Sequence, residues 1–195
     1  MYFDSHAHLD DPRFDADRDK IFAALAEQGP VMNVGCDLAS SERSVALAQK
    51  YSFVYASVGS HPDDADHVDG KLLDAYRRLC AEKKVRAIGE IGLDYHYEDV
   101  PRAQQIIAFE QQLELAEALK LPVIVHEREA HGDAMDSVMR HPDVRGVFHC
   151  FSGSKEMALW LVDRGWYIGF TGVLTFKNAR RAVEAAQALP LDRIL

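Results

Sequence analysis

No apolar run in the 195-residue sequence approaches the roughly 18–20 residues that a membrane-spanning helix needs. The acidic, polar N-terminus also lacks the basic-then-apolar pattern of a secretory signal. These absences predict a cytoplasmic protein with no membrane partner. Cysteine is scarce: Cys36, Cys80 and Cys150 are odd in number, far apart and without a Cys-x-x-Cys pair, which predicts reduced packing residues and no disulfide partner. Positive charge is in the minority, and a net charge of −9 argues against a generic nucleic-acid coat protein. It leaves room for an enzyme acting on phosphodiesters, because two bound divalent cations would reverse the local field. No glycine-rich phosphate fingerprint follows the first strand, which weakens a Rossmann-type reading.

What the chain does have is regular alternation. At 48% hydrophobic and 27% charged residues it reads as one soluble globular domain. Short apolar runs are predicted as strands at Tyr2–Leu9, Val31–Cys36, Phe53–Ser60, Val85–Glu90, Leu121–His126, Gly146–His149 and Tyr167–Thr171. Between them, helical spacing is read near Asp17–Gln28, after a cap at Ser40 or Ser41, over Lys71–Glu82, and after Pro101, where Ile106, Phe109, Leu113 and Ala116 share a face. Leu191–Leu195 looks like the opening of an eighth strand. Strand–helix alternation implies parallel pairing, so the predicted fold is α/β, a TIM-type (β/α)8 barrel with seven βα units plus the start of the eighth strand.

In such a barrel the reactive groups sit at the C-terminal ends of the strands. The histidines follow that rule: His6 and His8 close strand one, His61 strand three, His126 strand five and His149 strand six, while Glu90 closes strand four. In His6-Ala7-His8 the two rings share one strand face and can hold one metal ion between them. A carboxylate inside an apolar barrel is costly unless paired or metal-bound, a surface position at the strand tip being the competing reading, and its two oxygens can bridge two ions. The expected arrangement is therefore two divalent ions, His6 and His8 on one, His126 and His149 on the other, with Glu90 between them. His67, His96, His131 and His141 fall in turns, loops or helix starts and are not expected as ligands.

His6-Ala-His8, Gly59-Ser60-His61-Pro62, Gly89-Glu90-Ile91-Gly92-Leu93-Asp94, Val125-His126-x-Arg128 and His149-Cys150-Phe151-Ser152-Gly153 occur in that order, and together they resemble the TatD family of metal-dependent deoxyribonucleases. The resemblance runs over essentially the whole chain. It implies His6, His8, Glu90, His126 and His149 as metal ligands, His61 and Asp94 as groups behind the ligands or on the substrate side, and Arg128 as a phosphate contact. It implies DNA as substrate, cleaved exonucleolytically by a metal-activated water, with Zn²⁺, Mn²⁺, Ni²⁺ or Mg²⁺ as candidate ions. Lys177 and the Ser152-Gly153-Ser154 turn are further candidates for holding phosphate oxygens or another anion, the other readings being a solvated surface cation and a helix cap. The family usually adds a carboxylate at the end of strand eight, in a Glu-Thr-Asp segment absent from this sequence, so residues 1–195 are read as a single hydrolase barrel domain that is C-terminally incomplete. Two rival functions remain: a metal-dependent hydrolase of an amide, ester, lactone or D-aminoacyl-tRNA bond, and a non-catalytic truncated barrel.

Overall fold

Seven parallel strands lie side by side in chain order: β1 (Asp4–Ala7), β2 (Val31–Val34), β3 (Val54–Val58), β4 (Val85–Asp94), β5 (Val123–Arg128), β6 (Gly146–His149) and β7 (Tyr167–Ile168). Helices alternate with them: α1 (Arg18–Gln28), α2 (Leu38–Lys50), α3 (Gly70–Leu79), α4 (Arg102–Leu119), α5 (His131–Arg140), α6 (Lys155–Asp163) and α7 (Arg180–Ala188). The computed structural model describes residues 2–97 and 99–195. After α7 the chain makes a 3-10 turn over Leu191–Arg193, and Ile194 then bridges Ile168 in parallel, with Leu195 N–H donating to the Ile168 carbonyl at 2.9 Å. This is the βα succession of the expected barrel, but of Leu191–Leu195, read as the opening of an eighth strand, Leu191–Arg193 form the turn and Ile194 makes a single bridge to β7. Among the described residues no helix is long and apolar enough to cross a membrane.

Two apolar layers explain why the strands read as near-continuous hydrophobic runs. Val31, Val85, Ile88, Val123, Val125 and Phe148 pack outward under the helices, where Trp166 meets Phe148 edge-on at 5.3 Å. Met32, Val34, Ala87 and Ile124 form a separate inner cluster with Tyr55 and Val147. Each large side chain buried in this way contributes about 1.5–3 kcal/mol. The inner series also aims the chemistry. Side chains alternate along a strand, so Met32 and Val34 lead to Cys36, Ile124 leads to His126 and Arg128, and Val147 leads to His149.

Local boundaries differ from expectation in several places, among them β1, which ends at Ala7 so that His8 follows the strand. The helix read as capped by Ser40 or Ser41 starts earlier: Asp37 caps α2, its carboxylate accepting from Ser40 N–H, while Ser40 completes a capping box. Strand β4 runs on to Asp94, so Glu90 lies inside a ten-residue strand rather than at its end. Strand β7 stops at Ile168, because Thr171 turns to cap a 3-10 segment at Gly172–Thr175. Ser154 caps α6 by accepting from Met157 N–H at 3.2 Å, which gives the Ser152–Ser154 turn a structural role.

Candidate metal centre

A bulge in β4 brings Glu90 to the site. Ile88 pairs with Val123 and Ile91 with Val125, so three steps on β4 oppose two on β5, and the phase of the alternation flips between them. Simple alternation from the inward Ala87 would turn Glu90 out toward the helices; after the bulge Glu90, Gly92 and Asp94 face the interior together with His126 and Arg128. The other strand ends are clamped from outside. Gln112 and Gln105, two turns apart on α4, use both ends of their buried amides: Gln112 holds the Ser60 backbone before His61, and Gln105 holds Asp94. Asn33 accepts from Leu9 N–H at 2.6 Å and donates to Asp10 and Ser44, fixing the chain just beyond His8.

His6, His8, Cys36, His61, Asp63, Asp64, Glu90, His126, His149 and Cys150 line one cavity of about 450 Å³. Glu90 is 4% exposed, and its two oxygens face different groups. Oε2 lies 3.4 Å from His6 Nε2 and 3.7 Å from His8 Nε2, whereas Oε1 lies 3.2 Å from His126 Nδ1. The donors gather in three sets sharing Glu90, completed by His6 and His149, by His8 and Cys36, and by His61 and His126. His149 thus keeps company with His6, its ring stacked at 3.4 Å, and His126 with His61, where the sequence suggested a His126–His149 pair. Asp94 stands behind His126, with Oδ2 3.0 Å from Nε2.

Arg128 lies one inward step beyond His126, its guanidinium 5.2 Å from the Tyr97 ring centre, outside the cavity wall. Lys177 is exposed in the loop before α7. His67, His96 and His141 lie apart from the cluster, and His131 opens α5 as read, paired with buried Glu127. All three cysteines are free in this structure, and Cys36, expected as a packing residue, stands in the cavity wall with its sulfur 3.9 Å from Glu90 Oε2. The signal that could have found it is the one that found the histidines, a donor residue two steps past an inward apolar side chain at a strand end.

The electrostatics suit a cation. Burial pushes the Glu90 carboxyl up, but hydrogen bonds from His126 and His6 and their charges hold it well below the usual range, so it stays anionic. Burial disfavours charge on His126 as well, yet Glu90 and Asp94 raise it, each accepting from one ring nitrogen. To ligate a metal, His126 would give up one of those protons. His8 Nδ1 lies 3.0 Å from the Val34 carbonyl, which can only accept, so His8 Nε2 keeps its lone pair. That atom is 3.0 Å from His6 Nε2, while His6 Nδ1 is buried without a partner. Either tautomer leaves His6 unsatisfied: a proton on Nε2 orphans the Nδ1 lone pair, and a proton on Nδ1 orphans that N–H and sets two lone pairs face to face. A cation would remove the latter conflict, so the residues fit a metal.

Burial, then repulsion from His6, lowers His149 to about 3, which makes it an uncharged donor at neutral pH. In the unfolded chain it titrates near 6.5, so between about 6.5 and 3 the unfolded state takes up a proton that the folded state refuses. Stability of the chelator-treated protein is therefore expected to fall as pH falls through that window, and His149→Asn to lose less over the same range. Parallel melting-temperature profiles for the two would assign the loss to other groups.

An α/β barrel whose mouth carries histidines and a carboxylate arranged for metal ligation defines the class. A family model described as TatD related DNase matches residues 3–195, and the chain belongs to that family. It is 37% identical over 199 residues to "Uncharacterized metal-dependent hydrolase YabD" of Bacillus subtilis, covering 100% of this chain and 78% of that protein. To "3'-5' ssDNA/RNA exonuclease TatD" of Cronobacter turicensis it is 35% identical over 200 residues, covering 99% and 75%. The crystal structure of YjjV, a TatD homologue from Escherichia coli K12, superposes with a TM-score of 0.91 at 32% identity, over 100% of this chain and 77% of that one.

Proposed function

We propose that the chain is a divalent-metal-dependent hydrolase that cleaves DNA phosphodiester bonds as an exonuclease, with His6, His8, Glu90, His126 and His149 as ligands of two ions. The observation that carries this reading is the division of Glu90, one oxygen toward His6 and His8 and the other toward His126. The family supports it, as does the nuclease name borne by the Cronobacter relative. When bound, two divalent ions supply Lewis acidity that activates water and stabilises both the attacking and the leaving oxygen.

The chain's own residues do the rest. Asp94 fixes the His126 ring and stabilises a proton on Nε2, leaving Nδ1 on the Glu90 side. With a net charge of −9, phosphate recognition must rely on local cations. The Arg128 guanidinium, 5.2 Å from the Tyr97 ring centre and one inward step beyond His126, is the phosphate contact in this reading. End-labelled single-stranded DNA, duplex DNA, a small ester, an amide and D-aminoacyl-tRNA, each incubated with protein loaded with Mg²⁺, Mn²⁺ or Zn²⁺ and with chelated protein, would test this. Stepwise, metal-dependent release of mononucleotides is expected. Hydrolysis of the ester, the amide or the tRNA bond with intact DNA would overturn the substrate assignment.

A further inference from the structure

We propose that Cys36 is a ligand in this centre, its thiolate joining His8 and Glu90 around one ion and giving that position a preference for thiophilic metals. The inference rests on the reading of the barrel mouth as a metal centre and adds a donor of a different chemical kind.

Three observations converge on it. The inward series Met32, Val34, Cys36 delivers the sulfur to the mouth by the same alternation that delivers His126 and His149. The strand end is held from the β3–β4 side, with Gly35 N–H donating to the Ser57 carbonyl, Glu90 N–H to the Gly35 carbonyl, and His61 N–H to the Cys36 carbonyl at 2.7 Å. The sulfur then lies 3.9 Å from Glu90 Oε2 and 3.7 Å from His8 Nδ1, the nitrogen that faces the Val34 carbonyl, and one ligand atom each from His8, Cys36 and Glu90 fall within 4.8 Å of one another. Metal–sulfur and metal–nitrogen bonds of about 2.3 and 2.0–2.1 Å put tetrahedral donors roughly 3.5 Å apart, so the three donors complete the set by drawing together to that spacing.

His6 gives an independent sign. Its side chain is only 8% exposed, Nδ1 has no partner, and Nε2 points at His8 and Glu90 from the other side. A buried imidazole with an unpartnered nitrogen beside this group of donors suits a site that holds a cation. On coordination the sulfur–hydrogen bond is replaced by a sulfur–metal bond, and the proton leaves to solvent. A thiolate favours Zn²⁺, Cd²⁺ or Co²⁺ over Mn²⁺ and Mg²⁺. The centre is then chemically uneven, with a soft position at His8–Cys36 and a harder one at His126.

The full chain, stripped with chelator and kept reduced, can be titrated with Co²⁺ and followed in the near ultraviolet, where sulfur-to-cobalt charge transfer absorbs. Wild type and a Cys80→Ser control are expected to show the band. Cys36→Ser and Cys36→Ala are expected to lose it while still binding cobalt, with Zn²⁺ affinity down by about tenfold or more and Mn²⁺ affinity little changed. Circular dichroism of each variant separates ligand loss from misfolding. Cobalt bound to wild type without the band, or a band that survives in folded Cys36→Ser, would overturn the assignment of Cys36 alone. Failure of wild type to bind cobalt at all would overturn the metal centre itself, and this inference with it.

Discussion

Replacing Glu90 by glutamine is expected to strip the protein of most of its divalent metal while leaving the fold intact. The amide keeps the shape of the carboxylate but carries no charge, and one of its two ends presents N–H donors where both oxygens now face histidine nitrogens. Loss of a partner behind a ligand lowers metal affinity by 10–100-fold; removing the group shared by all three donor sets is expected to lower it by at least about 100-fold, and hydrolysis with it. Folding follows a different balance. A carboxylate 4% exposed is expensive to bury, so its neutral isostere weakens the pairing with His126 but also relieves desolvation. Metal analysis after gel filtration, beside a circular dichroism melt, separates these effects. Wild-type metal content in Glu90→Gln would remove Glu90 from the ligand set and leave no bridge between the histidine groups.

The fold was legible because both periods in the sequence were clean. Parallel strands covered on both faces need apolar residues on both, and β2 is buried at every position, so the strands read as unbroken runs such as Val31–Val34. The rule that reactive groups close barrel strands then gathered His6, His8, His61, His126 and His149 from four separate segments, and the structure places all of them around one cavity. What stayed hidden was whatever depends on contacts between distant segments. The β4 bulge cannot be seen from alternation within β4, since it exists only in the register against β5. The companionship of His149 with His6 follows from how rings pack across the barrel mouth, which sequence order does not encode. Cys36 reads as a packing residue because a sparse cysteine in a chain without Cys-x-x-Cys usually is one, although its place past Val34 has the pattern of a donor. The α2 cap moved to Asp37 because three neighbouring candidates can all cap, and the loop leaving β2 decides among them.

Adding a single methyl group at Gly92 is expected to do more damage to the fold than removing any one ligand. Gly92 has φ +142°, a conformation that side-chain-bearing residues avoid, and a Cβ there would lie 1.9 Å from the His126 carbonyl oxygen and 2.9 Å from its carbon. Neither neighbour can swing aside, because both belong to the β4–β5 ladder in which Gly92 is paired with His126 itself. The strands would have to separate at the point where the bulge has just turned Glu90, Gly92 and Asp94 inward, and the hydrogen bond from His126 to Asp94 would go with them. Overlap with backbone atoms, added to left-handed strain, belongs with the rare substitutions that destabilise by more than about 4 kcal/mol. Gly92→Ala is therefore expected to unfold at much lower urea concentration than wild type or to fail to accumulate as soluble protein. Gly70→Ala is the control: a Cβ at Gly70 meets nothing within 4 Å, and alanine in the first turn of α3 is expected to leave stability unchanged or raise it by up to about 1 kcal/mol. Folded Gly92→Ala that retains metal would test the register directly. If its urea midpoint lay beside that of Gly70→Ala, β4 and β5 would not approach as closely at His126 as the ladder requires, and the inward aim of Glu90 would need another cause.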